Sequence, residues 1–280
     1  MVLKSWMIRS PGVQDRFRRI FPNVDRPLIA MAHLGALPGT PLYDRPRGLD
    51  GIVSDVRRDL DVLVGAGFDA VLFCNENDRP YELRASLASA AIMSRVVTEC
   101  RPESIPFGVD FLWDAECALA VAAATGAAFM REVVAGTWES DMGPFAPDAA
   151  KLLRERVALD AESTAVFMNV TPEFASSTGT RKPSELARSI AVSSLADAIL
   201  VSGLMAGTEP ALSLVSEIRE SVPPEVPVLL NTGARASNIA SYLELVDGCI
   251  VGSDLKVDGK TWNRVDPERV KRFVEAARAA

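Results

Sequence analysis

Short runs of apolar residues recur eight times along this chain, each followed by a longer amphipathic stretch, and that alternation limits the fold more than any other feature. It is the pattern of successive βα units around a parallel sheet, whose strands are buried on both faces and read as continuous apolar runs. The runs predict strands at about 27–34, 69–75, 106–112, 128–134, 164–170, 198–203, 227–233 and 248–254. Helices are predicted at about 50–66, 81–100, 114–125, 147–160, 183–194, 209–220, 237–246 and 267–279. Gly67 and Gly126 stand where a helix must end before a short return to the sheet. Eight strands and eight helices close most economically as an α/β fold of the (β/α)8 TIM-barrel type. The alternative, an open doubly wound sheet, lacks a G-x-G-x-x-G after the first strand. The expected organisation is an N-terminal helical extension over 1–26 and one barrel over 27–280.

The 280 residues suit such a barrel, for which about 250 is usual. A 48% hydrophobic and 24% charged composition supports one large core. With 30 Lys and Arg against 37 Asp and Glu, the formal charge is −7, so no nucleic-acid partner is expected. The basic segment Arg16-Phe17-Arg18-Arg19-Ile20-Phe21 has two readings: an amphipathic helix on a membrane surface, or, more plainly, a lid on the barrel's bottom. No apolar run approaches the roughly 20 residues of a transmembrane helix, and no signal peptide is visible, so a cytoplasmic protein without membrane contact is expected. Cys74, Cys100, Cys117 and Cys249 lie in apolar contexts without C-x-x-C spacing and are read as buried free thiols.

Polar side chains at the ends of such strands must pair or point into the barrel's mouth. His33, Asn75, Glu76, Asp110, Arg131, Asn169, Asn231 and Asp254 all fall there and can converge. His33 is the only histidine, suited to acid/base work or to a metal. Glu76, within Asn75-Glu76-Asn77-Asp78, is either a base or metal ligand, or part of a run that hydrogen-bonds the turn. Asp110 and Arg131, on adjacent strands, form either a structural ion pair or a device that fixes an anionic group of a ligand. Glu132 should point away from Arg131, because side chains alternate along a strand.

Ser202-Gly203, Thr232-Gly233 and Gly252-Ser253 end three successive strands where barrel enzymes commonly bind phosphate. Glycine lets backbone approach the anion, and N–H groups at the next helix start can donate to it; the other reading is ordinary tight turns. Loops 35–48 and 135–146, too long for simple turns, are expected to wall the site.

The segments Met31-Ala32-His33-Leu34-Gly35-Ala36-Leu37-Pro38-Gly39-Thr40-Pro41 and Asp247-Gly248-Cys249-Ile250-Val251-Gly252-Ser253-Asp254-Leu255-Lys256-Val257-Asp258-Gly259-Lys260-Thr261-Trp262-Asn263 resemble the opening and closing signatures of the BtpA family. The similarity continues through Ile105–Val109 and Ala198–Gly203 and covers roughly 27–277. The resemblance implies a phosphate-binding barrel and two kinds of role: a thylakoid-associated factor needed for photosystem I accumulation, and a barrel enzyme encoded beside sugar-transport and sugar-phosphate isomerisation functions. This chain departs from the family pattern. Phe167-Met168-Asn169-Val170-Thr171-Pro172-Glu173 stands where members carry histidines and a lysine, which excludes a Schiff-base lysine there, and Asp110 replaces a commoner asparagine.

The sequence therefore predicts an enzyme acting on a phosphorylated sugar or related small metabolite, by proton transfer or by carbon–carbon or glycosidic bond rearrangement. His33, Glu76, Asp110, Arg131 and Asn169 would be catalytic, and Ser202, Gly203, Thr232, Gly233, Gly252 and Ser253 would hold phosphate. No cofactor is expected, with a divalent metal on His33 and Glu76 or Asp110 as the variant, and homo-oligomerisation is expected from the habits of barrels. The rival is a non-catalytic assembly factor working through an exposed apolar patch around Trp6, Phe17 and Phe21.

Overall fold

A computed structural model describes residues 15–280. Eight parallel strands close a barrel: β1 (Leu28–His33), β2 (Ala70–Cys74), β3 (Phe107–Asp110), β4 (Phe129–Glu132), β7 (Ala165–Asn169), β9 (Ala198–Val201), β10 (Val228–Leu230) and β11 (Cys249–Val251). Closure is direct, with β1 in register with β2 through Ile29↔Ala70 and with β11 through Leu28↔Cys249. The remaining strands, β5 (Trp138–Ser140), β6 (Gly143–Phe145) and β8 (Ala175–Ser177), form a separate antiparallel sheet over the mouth, built from the long loop after β4 and the tail of β7.

All eight expected barrel strands are present. Helices α2 (Gly48–Gly65), α3 (Leu87–Cys100), α4 (Ala115–Thr125), α5 (Ala149–Ala158), α6 (Pro183–Ser193), α7 (Leu212–Ser221), α8 (Ile239–Leu243) and α9 (Pro267–Arg278) intervene as expected. One boundary differs by more than three residues. The third helix starts at Leu87, capped by Ser86, and not at 81. Residues 81–86 stay outside the helix, where Tyr81 donates its hydroxyl to Glu76 and Ala85 donates its N–H to Asp114 at 2.8 Å.

Alternation along the strands sorts side chains between two cores. Outward residues such as Val71, Val109, Val166 and Val228 pack beneath the helices. Inward residues such as Ile29, Leu72, Phe129, Phe167 and Leu229 fill the lumen. Phe129 and Phe167 stack at 4.7 Å, and this is why β3 carries Gly108: a Cβ there would lie 2.3 Å from the Phe129 ring.

The lumen is stoppered from below. Helix α1 (Arg16–Ile20) turns Phe17 and Phe21 onto Phe167 and Phe129, at 5.7 and 6.5 Å between ring centres. Arg16 and Arg156 both reach the buried Asp197 carboxylate at 3.2 Å, tying the helix to the sheet. The lid reading of the basic segment therefore holds. The membrane-surface reading fails, because its two aromatic residues are spent inside the barrel. The apolar patch of the rival reading fails for the same reason at Phe17 and Phe21, whereas Trp6 lies outside the described residues. Among the described residues no helix is long and apolar enough to cross a membrane, and all four cysteines are free and buried.

Candidate active site

Above the phenylalanines, the inward positions become polar. His33 ends β1, Glu76 follows β2, Asp110 ends β3, Arg131 lies in β4 and Asn169 ends β7. They meet beneath or along a cavity of about 1030 Å³ at the C-terminal end of the barrel, whose walls include His33, Glu76, Arg131 and Glu173. That is the end at which βα loops build sites in barrels of this kind.

Asp110 is completely buried beneath the cavity floor, with Oδ2 3.2 Å from Arg131 Nε. Burial alone would pull the Arg131 guanidinium down, but Asp110 first, then Glu173 and others, hold it above its ordinary range. Glu132 faces the other way, as alternation requires, accepting the N–H groups of Trp113 and Val133 at 3.0 and 2.8 Å. Burial, reinforced by Asp110, keeps the Glu132 carboxyl well above the usual carboxylate range.

His33 Nδ1 lies 3.3 Å from the Thr261 carbonyl, which can only accept, so Nδ1 carries the proton and Nε2 presents its lone pair. Burial, then the nearby Lys256 ammonium, holds the imidazole neutral, well below its ordinary pKa. Nε2 faces Glu76 Oε2 at 4.0 Å. Burial raises the Glu76 carboxyl to about 7 against the pull of Arg131, and Tyr81 donates to its Oε1 at 3.2 Å. A neutral imidazole and a carboxyl poised near neutrality can exchange a proton with whatever lies between them.

The two readings of the polar run after β2 divide by residue. Glu76 enters the cavity. Asn75 instead bonds Asp78 and the Leu112 N–H, and Asp78 accepts the Leu37 N–H at 2.7 Å, stapling the loops. Asn169 lies under the floor: its amide donates to Ser202 Oγ at 3.0 Å and Glu173 Oε2 at 3.3 Å, and Asn231 donates to the same hydroxyl at 2.8 Å. Asp254 is held by Arg269 at 2.6 Å and by the Ala236 N–H at 2.9 Å.

Thr232, Gly233, Gly252 and Ser253 form one wall of the cavity, whereas Ser202 and Gly203 sit behind it. The chain itself uses the room at two of these glycines. A Cβ on Gly203 would lie 2.1 Å from the Thr208 carbonyl oxygen, and one on Gly233 2.2 Å from Glu209 Cα, so the loop after β9 can fold tightly against both. Gly203 N–H donates to Thr232 Oγ1 at 2.7 Å, and Ser253 shares a 2.7 Å hydrogen bond with Thr261.

Three residues of the site were not singled out from the sequence. Glu173 lines the same cavity as Arg131, its carboxyl raised by burial. Lys256 is fully buried behind His33, 3.7 Å from Asp59. Thr261 holds His33. Glu173 follows β7 at four residues' distance, much as Glu76 follows β2 at two, and that shared position past a strand end was the available signal. Among the described residues no group of three His, Cys, Asp or Glu is arranged to hold a metal.

Comparison with known proteins agrees with this architecture. The model of the BtpA family matches residues 24–279. The sgc region protein SgcQ of Escherichia coli K12 is 36% identical over 254 residues, 90% of this chain and 94% of that protein. The photosystem I biogenesis protein BtpA of Synechocystis is 30% identical over 254 residues, 89% of this chain and 87% of that one. Among solved structures, a phosphoribosyl anthranilate isomerase in complex with reduced 1-(o-carboxyphenylamino)-1-deoxyribulose 5-phosphate superposes with a TM-score of 0.53. It is 17% identical and covers 91% of this chain and all of that one, a likeness of fold.

Proposed function

The chain belongs to the BtpA family, and from the geometry of its barrel mouth we propose that it is an enzyme acting on a phosphorylated sugar or related small metabolite by proton transfer. The observation that carries this reading is the facing pair of His33 and Glu76, 4.0 Å apart in a cavity large enough for a small metabolite. A carboxyl near its midpoint at neutral pH can both give and take a proton, and a neutral imidazole with a free Nε2 complements it. Arg131, held by Asp110, supplies a fixed positive charge for an anionic or carbonyl oxygen.

Thr232, Gly233, Gly252 and Ser253 would receive the phosphate, and Arg235, on the same wall, would add charge. The superposed isomerase, whose bound ligand carries a 5-phosphate, supports this placement by analogy of fold. Asn169 and Ser202 would act from beneath the floor, fixing the amide of Asn231 rather than touching the ligand. The protein would work as a homo-oligomer in the cytoplasm and without a cofactor.

The test is a turnover screen of sugar phosphates with the wild type and Glu76→Gln. Turnover of a phosphorylated compound that falls by roughly 10²–10⁴-fold in the variant, the usual worth of a positioned acid or base, supports the reading. Full activity in Glu76→Gln, or no turnover across the screen, contradicts it.

A further inference from the structure

The segment from Ser253 to Val265 closes on itself. Val257 N–H donates to the Arg264 carbonyl at 3.0 Å, Asn263 Nδ2 to the Val257 carbonyl at 2.9 Å, and Asp266 N–H to the Leu255 carbonyl at 2.9 Å. Lys256 and Val265 pair as an isolated antiparallel bridge. Such a loop moves as a unit, because shifting one limb breaks bonds to the other.

Thr261 is buried on this loop and has two partners of different kinds. Its carbonyl receives His33 Nδ1 at 3.3 Å, and its hydroxyl shares a 2.7 Å hydrogen bond with Ser253 Oγ. Ser253 belongs to the wall assigned to phosphate, and His33 to the proton-transferring pair. One residue thus touches both halves of the site by separate groups, one backbone and one side chain. We propose that Thr261 is a positioning residue that couples the phosphate wall to His33, its hydroxyl registering Ser253 and its carbonyl setting the tautomer and direction of the imidazole.

Occupation of the wall at Ser253 then tightens the loop and fixes His33 Nε2 toward Glu76, so that an anion primes the acid/base pair. The role deepens the proposed function and rests on the phosphate reading for its trigger, although the link between Thr261 and His33 does not.

Because His33 is the only histidine, its ring can be read by NMR of the whole protein with ¹⁵N-labelled histidine, without knowing the substrate. The expected wild-type spectrum has a protonated Nδ1 and an unprotonated Nε2. Thr261→Val keeps the carbonyl but removes the hydroxyl, and Ser253→Ala removes the partner; each should shift the ring resonances or mix the tautomers, while Thr261→Ser restores the wild-type spectrum. Added inorganic phosphate should move the ring signals in wild type and in Thr261→Ser but not in Thr261→Val.

An Nε2-protonated ring in the wild type, or unchanged ring signals in folded Thr261→Val and Ser253→Ala, overturns the proposal. Phosphate that moves the Ser253 and Gly233 amides but leaves His33 still overturns the coupling while the phosphate wall stands. Phosphate that moves neither, with both variants still shifting His33, supports the positioning role of Thr261 and removes the phosphate reading instead.

Discussion

His33 at the end of β1 and Glu76 just beyond the adjacent β2 face each other, Nε2 to Oε2, at 4.0 Å. The gap is too long for a direct hydrogen bond and short enough for a single ligand atom to bond both. Each group is strained in its protonation by burial, the imidazole toward neutrality and the carboxyl toward its acid form. Their separate titrations give the pair a pH signature.

Glu76 takes up a proton on folding between its ordinary 4.5 and about 7, so its ionisation lowers stability as pH rises through that window, with the whole cost present above 7. Glu76→Gln removes that cost. The variant should gain stability relative to wild type on going from pH 5 to pH 8, by at most about 3 kcal/mol at 1.36 kcal/mol per unit. Urea unfolding at the two pH values measures it, and an equal offset at both would contradict the assignment. His33 acts in the opposite direction: kept neutral in the fold, it costs stability as pH falls below 6.5 toward its lowered value.

Arg131 should be the least replaceable residue of the site. Its removal leaves the buried Asp110 and Glu173 without their cation. Arg131→Met is expected to destabilise by about 3–5 kcal/mol. Adding Asp110→Asn should recover part of that loss, which a double-mutant cycle in urea would show.

The aromatic stopper should be part of the barrel core. Phe17 and Phe21 are 5% and 2% exposed, so Phe17→Ala is expected to cost about 3–5 kcal/mol in chemical denaturation, as for a core phenylalanine. A loss below 1 kcal/mol would mean that the helix is only a loose appendage.

Gly233 and Gly143 offer a matched comparison. Both have positive φ, +77° and +98°, so alanine should strain either by about 1–2 kcal/mol. A Cβ at Gly143 meets nothing within 4 Å, whereas at Gly233 it meets the backbone of Glu209 at 2.2 Å. Gly233→Ala should therefore lose about 1–3 kcal/mol more, from overpacking, with the difference read by urea unfolding of the two variants.

The barrel was legible because burial on both faces makes each strand a plain apolar run, and Ala198–Val201 or Cys249–Val251 can be little else. The sheet of Trp138–Ser140, Gly143–Phe145 and Ala175–Ser177 was not, since three-residue strands are too short to show alternation. The start of α3 was misplaced because 81–86 are held out of the helix by bonds to Glu76 and Asp114, on the segments after β2 and β3, which no helical periodicity shows. His33, Glu76, Asp110 and Arg131 were found by their position at strand ends. Thr261 and Lys256 were missed as site residues because they arrive on a loop that folds back, and no periodicity marks such a return. Gly203 and Gly233 show that a glycine at a phosphate-like turn can serve the chain's own packing.

Whether the cavity at the barrel mouth takes a phosphorylated small molecule is decided by thermal unfolding of the wild type against matched pairs of sugars and sugar phosphates. Tm should rise with a phosphorylated compound, by the equivalent of about 2.7 kcal/mol of added stability at one hundred times its Kd. That rise should be absent with the unphosphorylated partner and abolished by Ser253→Asp. Equal shifts from both members of every pair, or no shift from any, would contradict it.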